Sequence, residues 1–579
     1  MKKIIFTIPF IMMSVLLADS AVPSASSETT AAPIMPQTAM TGNTSCEQTE
    51  LLFQAPFSPP LRNPSETEQF FTNRCRRFES LAWFDSSLTF SAQGAELLKA
   101  ILNSSFEGLN PKRYHQNSII ESLSRLQTGN LNDRDGQSAA LRRLDILLTD
   151  AYVTLAKDLY WGITDWDRML RTADGQGLKF ESDRPKKEDL NVSAYLSENL
   201  ERKRISRSLE RLSPDYEEYS RLKGALQYYR TIQMLGGWNP IPEGKTIRPG
   251  DTDARLPLIL KRLAATRDIS PLSDENATRY IGPTMIEAVR SFQKRHNLTP
   301  DGVIGPKTLK ALNVPVNEKI RTVLLNLERF RWMPRGLDSS EGYIDVNIPS
   351  FRLTLKEQGY ELLSMKTIVG RPERPTPVLS GKIAYAVLNP SWTAPETIVR
   401  EDILGKSDLR EYLSTHDMRV YAVRNGRTVE INPDTVDWKR YAGKKRVPFT
   451  FIADAGEANP LGGVKFIFPN KYTVYLHDTN TPELFNKENR TFSSGCVRVS
   501  DPQGLLDYLM QSDEIVLHSD ETVNGESDKI LNLKKRIPVI FRYMTVGVDT
   551  RQRASFYEDI YGYDDLLFSI IKEEISPGS

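Results

Sequence analysis

Cysteine and histidine are the residues here best suited to covalent chemistry, and both are scarce. The 579-residue chain holds three cysteines, Cys46, Cys75 and Cys496, and five histidines. One pair is spaced to react. Tyr475-Leu476-His477-Asp478-Thr479 is followed by Ser493-Ser494-Gly495-Cys496-Val497-Arg498-Val499, with Cys496 lying 19 positions after His477. A cysteine attacks as its thiolate, so it needs a base and a field that lowers its pKa. A histidine at the end of a strand can be that base. Small residues before Cys496 leave backbone N–H groups available to an oxyanion. Arg498 can add positive charge or bind a substrate carboxylate. Asp478 follows His477 directly, but strand alternation turns it to the opposite face, so a backbone carbonyl is the expected partner that orients the imidazole.

Strands must position that pair. After Arg335 the apolar period shortens from helical to alternating: Ile344, Val346 and Ile348, then Phe351, Leu353 and Leu355. Further strand-like runs are Ile383–Leu388, Phe449–Ile452, Val464–Phe468, Thr473–Leu476, Ile515–Leu517 and Val539–Val548. Residues 398–445 interrupt the pattern, with a helical stretch near Leu409–Leu413, and read as a lid-like insertion. Residues 60–245 carry helical periodicity instead, as in Leu144, Leu147, Leu148, Ala151, Tyr152, Leu155 and Leu159. Between these lies a unit in which Met285, Ala288, Val289 and Phe292 form one helix face and Asp301-Gly302 makes a turn. Pro306 suits a first helical position. Inside that unit Ser291-Phe292-Gln293-Lys294 matches the S-x-x-K of serine acyl-enzymes, but no S-D-N or K-T-G follows and Phe292 is needed for packing.

Composition and compartment narrow the chemistry. The chain has 75 Lys+Arg against 74 Asp+Glu, which excludes nucleic-acid binding driven by net charge. With 39% hydrophobic and 26% charged residues it reads as a soluble globular protein of several domains. Met1-Lys2-Lys3 and the apolar run to Ala18 fit a signal peptide over residues 1–20, with cleavage near Ser20. The alternative is a retained N-terminal anchor in the inner membrane. Residues 21–59 read as a disordered tether. In an exported protein Cys46 and Cys75 are candidates for a disulfide, which leaves Cys496 unpaired.

The segment AVRSFQKRHNLTPDGVIGPKTLKAL resembles the small helical peptidoglycan-binding domain of cell-wall enzymes. The run from His477 to Ser494-Gly495-Cys496-Val497-Arg498 resembles the motif of the L,D-transpeptidase (YkuD) catalytic domain. Val369–Pro377, Leu388–Trp392, Asn459–Gly462 and Asp559–Asp564 are similar to segments of the large YcbB-type members. One position departs from the pattern: many members carry histidine before the Gly-Cys, where this chain has Ser494. His477 is therefore the single candidate base.

The resemblance implies a multidomain α+β protein. It would comprise an α-helical scaffold over 60–245, a three-helix peptidoglycan-binding domain over 246–314 and a helical connector over 315–340. A mostly-β catalytic domain over 341–567, with the insertion, and a tail over 568–579 would complete it. The resemblance further implies a penicillin-insensitive, carbapenem-sensitive enzyme of a Gram-negative periplasm. Cys496 would attack the third-position diaminopimelate of a tetrapeptide stem, release D-Ala through a thioester, and pass the acyl group to a second stem. Gly495, Ser494 and Tyr475 are oxyanion candidates, and Asn389 and Trp392 donor-stem candidates. No cofactor or metal is expected. The expected partners are donor and acceptor stems, with a D,D-carboxypeptidase or a glycan-polymerising synthase as candidate protein partners, and no nucleic acid. Two other readings use the same residues: a sortase-like or papain-like transpeptidase, and a wall-binding scaffold with a silent site.

Overall fold

The computed structural model describes residues 49–575 apart from 50, 55, 76–80, 129–133, 182–183, 271–277, 281, 442, 445 and 515–525. The expected signal peptide, most of the tether, Cys46 and the run Ile515–Leu517 fall outside the described residues. Cys75 is disulfide-bonded.

Helices dominate the first half. Helix α1 (Pro64–Cys75), the long α2 (Arg134–Trp161) and α3 (Glu217–Met234) pack through Phe70, Leu144, Leu148, Tyr152 and Leu222. Three helices follow with a core of their own: α4 (Leu256–Ala265), α5 (Pro283–Arg295) and α6 (Pro306–Leu312). Ala288, Val289 and Phe292 are buried there, and Pro306 opens α6. Gly302 takes φ +78° at the expected turn, where its N–H donates to the buried Gln293 side chain. Helix α7 (Val316–Arg331) is buried along most of its length and joins the helical half to the β half. Its Glu328 accepts from the Ile163 and Thr164 N–H groups, and its Asn326 accepts from the Thr545 N–H.

The strands are β1 (Tyr343–Asn347), β2 (Arg352–Glu357), β3 (Tyr360–Gly370), β4 (Leu379–Leu388), β5 (Trp392–Thr393), β6 (Met418–Arg424), β7 (Arg427–Ile431) and β8 (Phe449–Ala453). They continue with β9 (Val464–Ile467), β10 (Leu476–His477), β11 (Thr491–Ser493), β12 (Val497–Val499), β13 (Lys529–Arg542), β14 (Val546–Val548) and β15 (Ala554–Phe556). The main sheet runs β11-β3-β12-β10-β9-β4-β13-β1-β2, and a further β3–β2 pairing closes it on itself. Closure removes the exposed strand edges an open sheet would present. The fold is thus α+β, with the strands gathered in the C-terminal part.

Three expectations shift. The insertion begins earlier and ends later than 398–445, because β5 and β8 belong to its own sheet, β5-β8-β6-β7. That sheet has a separate core of Trp392, Ile403, Met418, Val420 and Phe451. The run Val539–Val548 is broken after Arg542, since the Asn347 side chain takes both the N–H and the C=O of Met544 and replaces the ladder there. The run Thr473–Leu476 contributes only Leu476 to a strand, which extends instead to His477.

Candidate active site

Two short parallel strands create the site. β10 pairs with β12 so that Leu476 faces Val497 and His477 faces Arg498. Leu476 and Val497 are fully buried in the barrel core. Alternation therefore places Tyr475, His477, Cys496 and Arg498 together on the opposite face. The Tyr475 carbonyl accepts from the Val497 N–H at 3.1 Å, and the Tyr475 and His477 rings are 5.6 Å apart.

Cys496 is a free, half-buried thiol. Burial pushes its pKa up to about 11, against donation from the Tyr475 backbone N–H and hydroxyl and the charge of Arg498. Burial pushes His477 down to about 3, reinforced by Arg498 and opposed by the Asp478 carbonyl. The His477 Nδ1 lies 2.6 Å from that carbonyl oxygen. A carbonyl only accepts, so Nδ1 carries the proton and Nε2 keeps its lone pair for a base's work. The Asp478 carboxylate turns away and accepts from the Gly463 N–H at 2.8 Å. At neutral pH the site therefore holds a neutral thiol and a neutral imidazole.

The turn before Cys496 is tightly specified. Gly495 takes φ +119°, a conformation that L side chains rarely adopt. Its N–H donates to the Ser493 hydroxyl at 3.1 Å, and that hydroxyl donates to the Cys496 carbonyl at 2.5 Å. The Gly495 N–H, an expected oxyanion donor, is thus occupied within its own turn. The Ser494 hydroxyl accepts from Arg374 Nη1 at 3.0 Å.

The remaining predicted residues divide. Arg498 bonds Thr479 and Thr481 through Nη1, at 3.2 and 3.0 Å, while its buried Nε has no partner among the described residues. Asn389 ends β4 with φ +46° and donates its N–H to the Gly463 carbonyl, and its buried Nδ2 is likewise without a partner. Trp392 is packed in the insertion's core rather than presented to the thiol. Ser291 of the S-x-x-K match accepts from Arg553 at 3.1 Å. Three other histidines are held in packing contacts: His115 pairs with Asp150, while His296 and His416 stack on Phe292 and Tyr412. His518 lies outside the described residues. Among the described residues no group of His, Cys, Asp and Glu could hold a metal, and no helix is long and apolar enough to cross a membrane.

Sequence reasoning did not assign Arg371, Arg374 or Thr376. The Thr376 hydroxyl donates to the Gly495 carbonyl at 2.9 Å and accepts from the Gly370 N–H, and the Arg371 N–H donates to the Ser493 carbonyl. Residues 371–377 thus form a bracket against the turn that carries Cys496. The only signal was their place in the family-like segment Val369–Pro377.

Comparison with known proteins finds matches to parts of the chain. Residues 341–517 match the L,D-transpeptidase catalytic domain (YkuD), residues 66–226 a "Scaffold domain", and residues 260–312 a "Putative peptidoglycan binding domain". A Haemophilus influenzae protein named "Putative L,D-transpeptidase" is 33% identical over 248 residues, which is 42% of this chain and 47% of that protein. The chain thus spans about half the length of that relative. An L,D-transpeptidase structure from Xylanimonas cellulosilytica shares 15% identity over 52% of this chain and 99% of its own, at a TM-score of 0.17. One from Mycobacterium smegmatis shares 15% over 35% of this chain and 59% of its own, at 0.18. Likenesses as distant as these two carry no inference.

Proposed function

We propose that this chain, whose residues 341–517 match the L,D-transpeptidase (YkuD) catalytic domain and whose residues 260–312 match a peptidoglycan-binding domain, cross-links peptidoglycan between third-position diaminopimelate residues. The observation that carries this reading is the free Cys496 thiol, bonded by Tyr475 and sharing one strand face with His477. Cys496 Sγ attacks the carbonyl carbon joining diaminopimelate to the terminal D-Ala, while His477 Nε2 takes the thiol proton. The large gap between the two pKa values requires that transfer to accompany the attack rather than precede it. The tetrahedral oxyanion faces the Tyr475 hydroxyl and the Cys496 N–H. The intermediate collapses to a thioester as D-Ala leaves with the proton from His477. The side-chain amine of a second stem then attacks the thioester and restores the thiol. Asn389 Nδ2 and Arg498 Nε, the two unpartnered donors, suit stem carbonyl and carboxylate oxygens. A protein acting on peptidoglycan works outside the cytoplasm, which fits the signal-like N-terminus and a periplasmic location.

The test is incubation with tetrapeptide muropeptides, followed by detection of D-Ala and of dimers. Wild-type protein should release both and Cys496→Ala neither. Activity unchanged in Cys496→Ala would overturn the mechanism. A carbapenem should add its mass at Cys496, an outcome a sortase-like enzyme would not give.

A further inference from the structure

The insertion is linked to the Cys496 turn by two routes. Tyr475, which touches the sulfur, also packs against the insertion's core. The second route is a cluster of charges. Arg374 Nη1 reaches Asp402 Oδ2 at 2.6 Å and the Ser494 hydroxyl at 3.0 Å, and Arg374 Nη2 pairs with Glu401. Arg371 Nη2 adds a bond of 2.8 Å to Asp402 Oδ1. Both acids sit in one π-turn of the insertion, Val399–Ile403. A π-turn widens a helix by one residue per turn and is uncommon outside functional sites. Ser494, in turn, lies two residues before the nucleophile. The Arg374 side chain is only 14% exposed, so these are shielded charge-assisted bonds.

We propose that Arg374 is a positioning residue that fastens the insertion to the nucleophile turn, so that the two move as one body. The inference rests on the reading of Cys496 as nucleophile. One guanidinium fork spans two elements that are distant in sequence, and a lysine could not hold all three oxygens in the same plane. Loss of the fork should loosen both elements together. Charge removal on the insertion side alone should be felt at the turn, although Glu401 and Asp402 reach it, among the described residues, only through Arg374.

Hydrogen exchange and thiol chemistry test this without relying on turnover. In Arg374→Gln, amides of both 396–403 and 493–496 should exchange faster, and iodoacetamide at pH 8 should alkylate the half-buried Cys496 about fivefold faster as the turn loosens. The double variant Glu401→Gln/Asp402→Asn keeps Arg374 and should accelerate exchange in the same two segments. It also carries the test if Arg374→Gln does not fold. In muropeptide assays of Arg374→Gln, kcat per titrated thiol should fall about tenfold with KM within about threefold. Faster exchange in one segment alone, or an alkylation rate within twofold of wild type, would overturn the coupling. Failure of the wild type to release D-Ala would instead overturn the functional reading and leave the exchange and alkylation results standing.

Discussion

A thiol held near 11 beside an imidazole held near 3 stores its reactivity rather than displaying it. Both groups rest neutral because burial makes either charge costly, and only a substrate that supplies a developing oxyanion offsets that cost. The same burial leaves a thermodynamic signature. The folded His477 pKa lies below the unfolded value of 6.5, so the unfolded chain binds the extra proton as pH drops. Stability from this group is complete above pH 6.5 and is lost as pH falls towards about 3. Relative to His477→Gln, wild type should therefore lose about 1.4 kcal/mol per pH unit across that window in urea titrations. Parallel curves would show that the imidazole is not buried neutral. Cys496 and His477 were legible in the sequence because scarcity and spacing single them out. The occupied Gly495 N–H was not, because its partner is a side-chain oxygen two residues away whose rotamer no pattern encodes.

Short elements place these groups, and their shortness explains what pattern reading missed. Alternation marks β1, β2, β4 and β9, where one face is buried over several residues. β10 contributes two residues and is defined by its neighbours rather than by its own period. β5 and β8 alternate as barrel strands do, so nothing in their composition assigns them to the insertion's separate sheet. The bracket at 371–377 depends on contacts with residues some 120 positions later and carries no periodic signal. Its geometry does set a sharp constraint at Gly370. A Cβ there would lie 2.2 Å from the Arg374 carbonyl oxygen and 2.7 Å from the Thr376 nitrogen, both backbone atoms. Gly370→Ala should therefore displace the bracket, destabilise the fold by about 2 kcal/mol or more, and abolish D-Ala release. Equal Tm and activity to wild type would show that the bracket yields without consequence.

At the scale of the molecule, the three-helix unit of α4, α5 and α6 is tied to the segment that leads into Cys496. Glu488, just before β11, accepts from the Thr299 N–H and hydroxyl at 2.8 and 2.6 Å and from Lys307 at 2.5 Å. Burial pushes the Glu488 carboxyl up, but Lys307 and Thr299 outweigh it and hold it near 2. A depressed carboxylate contributes stability above its unfolded value of about 4.5 and loses it as pH falls towards 2. Glu488→Gln should lower the Tm at neutral pH, and the gap from wild type should close between about pH 4.5 and 2. A gap that stays constant across that range would show that the contact contributes no charge-dependent stability.

The chain also returns to its own beginning. Ile575 bridges Leu109, and Glu574 pairs with Arg62 and Arg113 beside the buried Asp158. The Tyr563 hydroxyl accepts from the Lys179 N–H. A polypeptide is made from its N-terminus, so Arg62, Leu109 and Arg113 lack these partners until more than 450 further residues have followed. The helical half therefore lacks these closing contacts until residues 563–575 have been made. The scaffold's final contacts thus wait on a segment translated after the segments that form the candidate site.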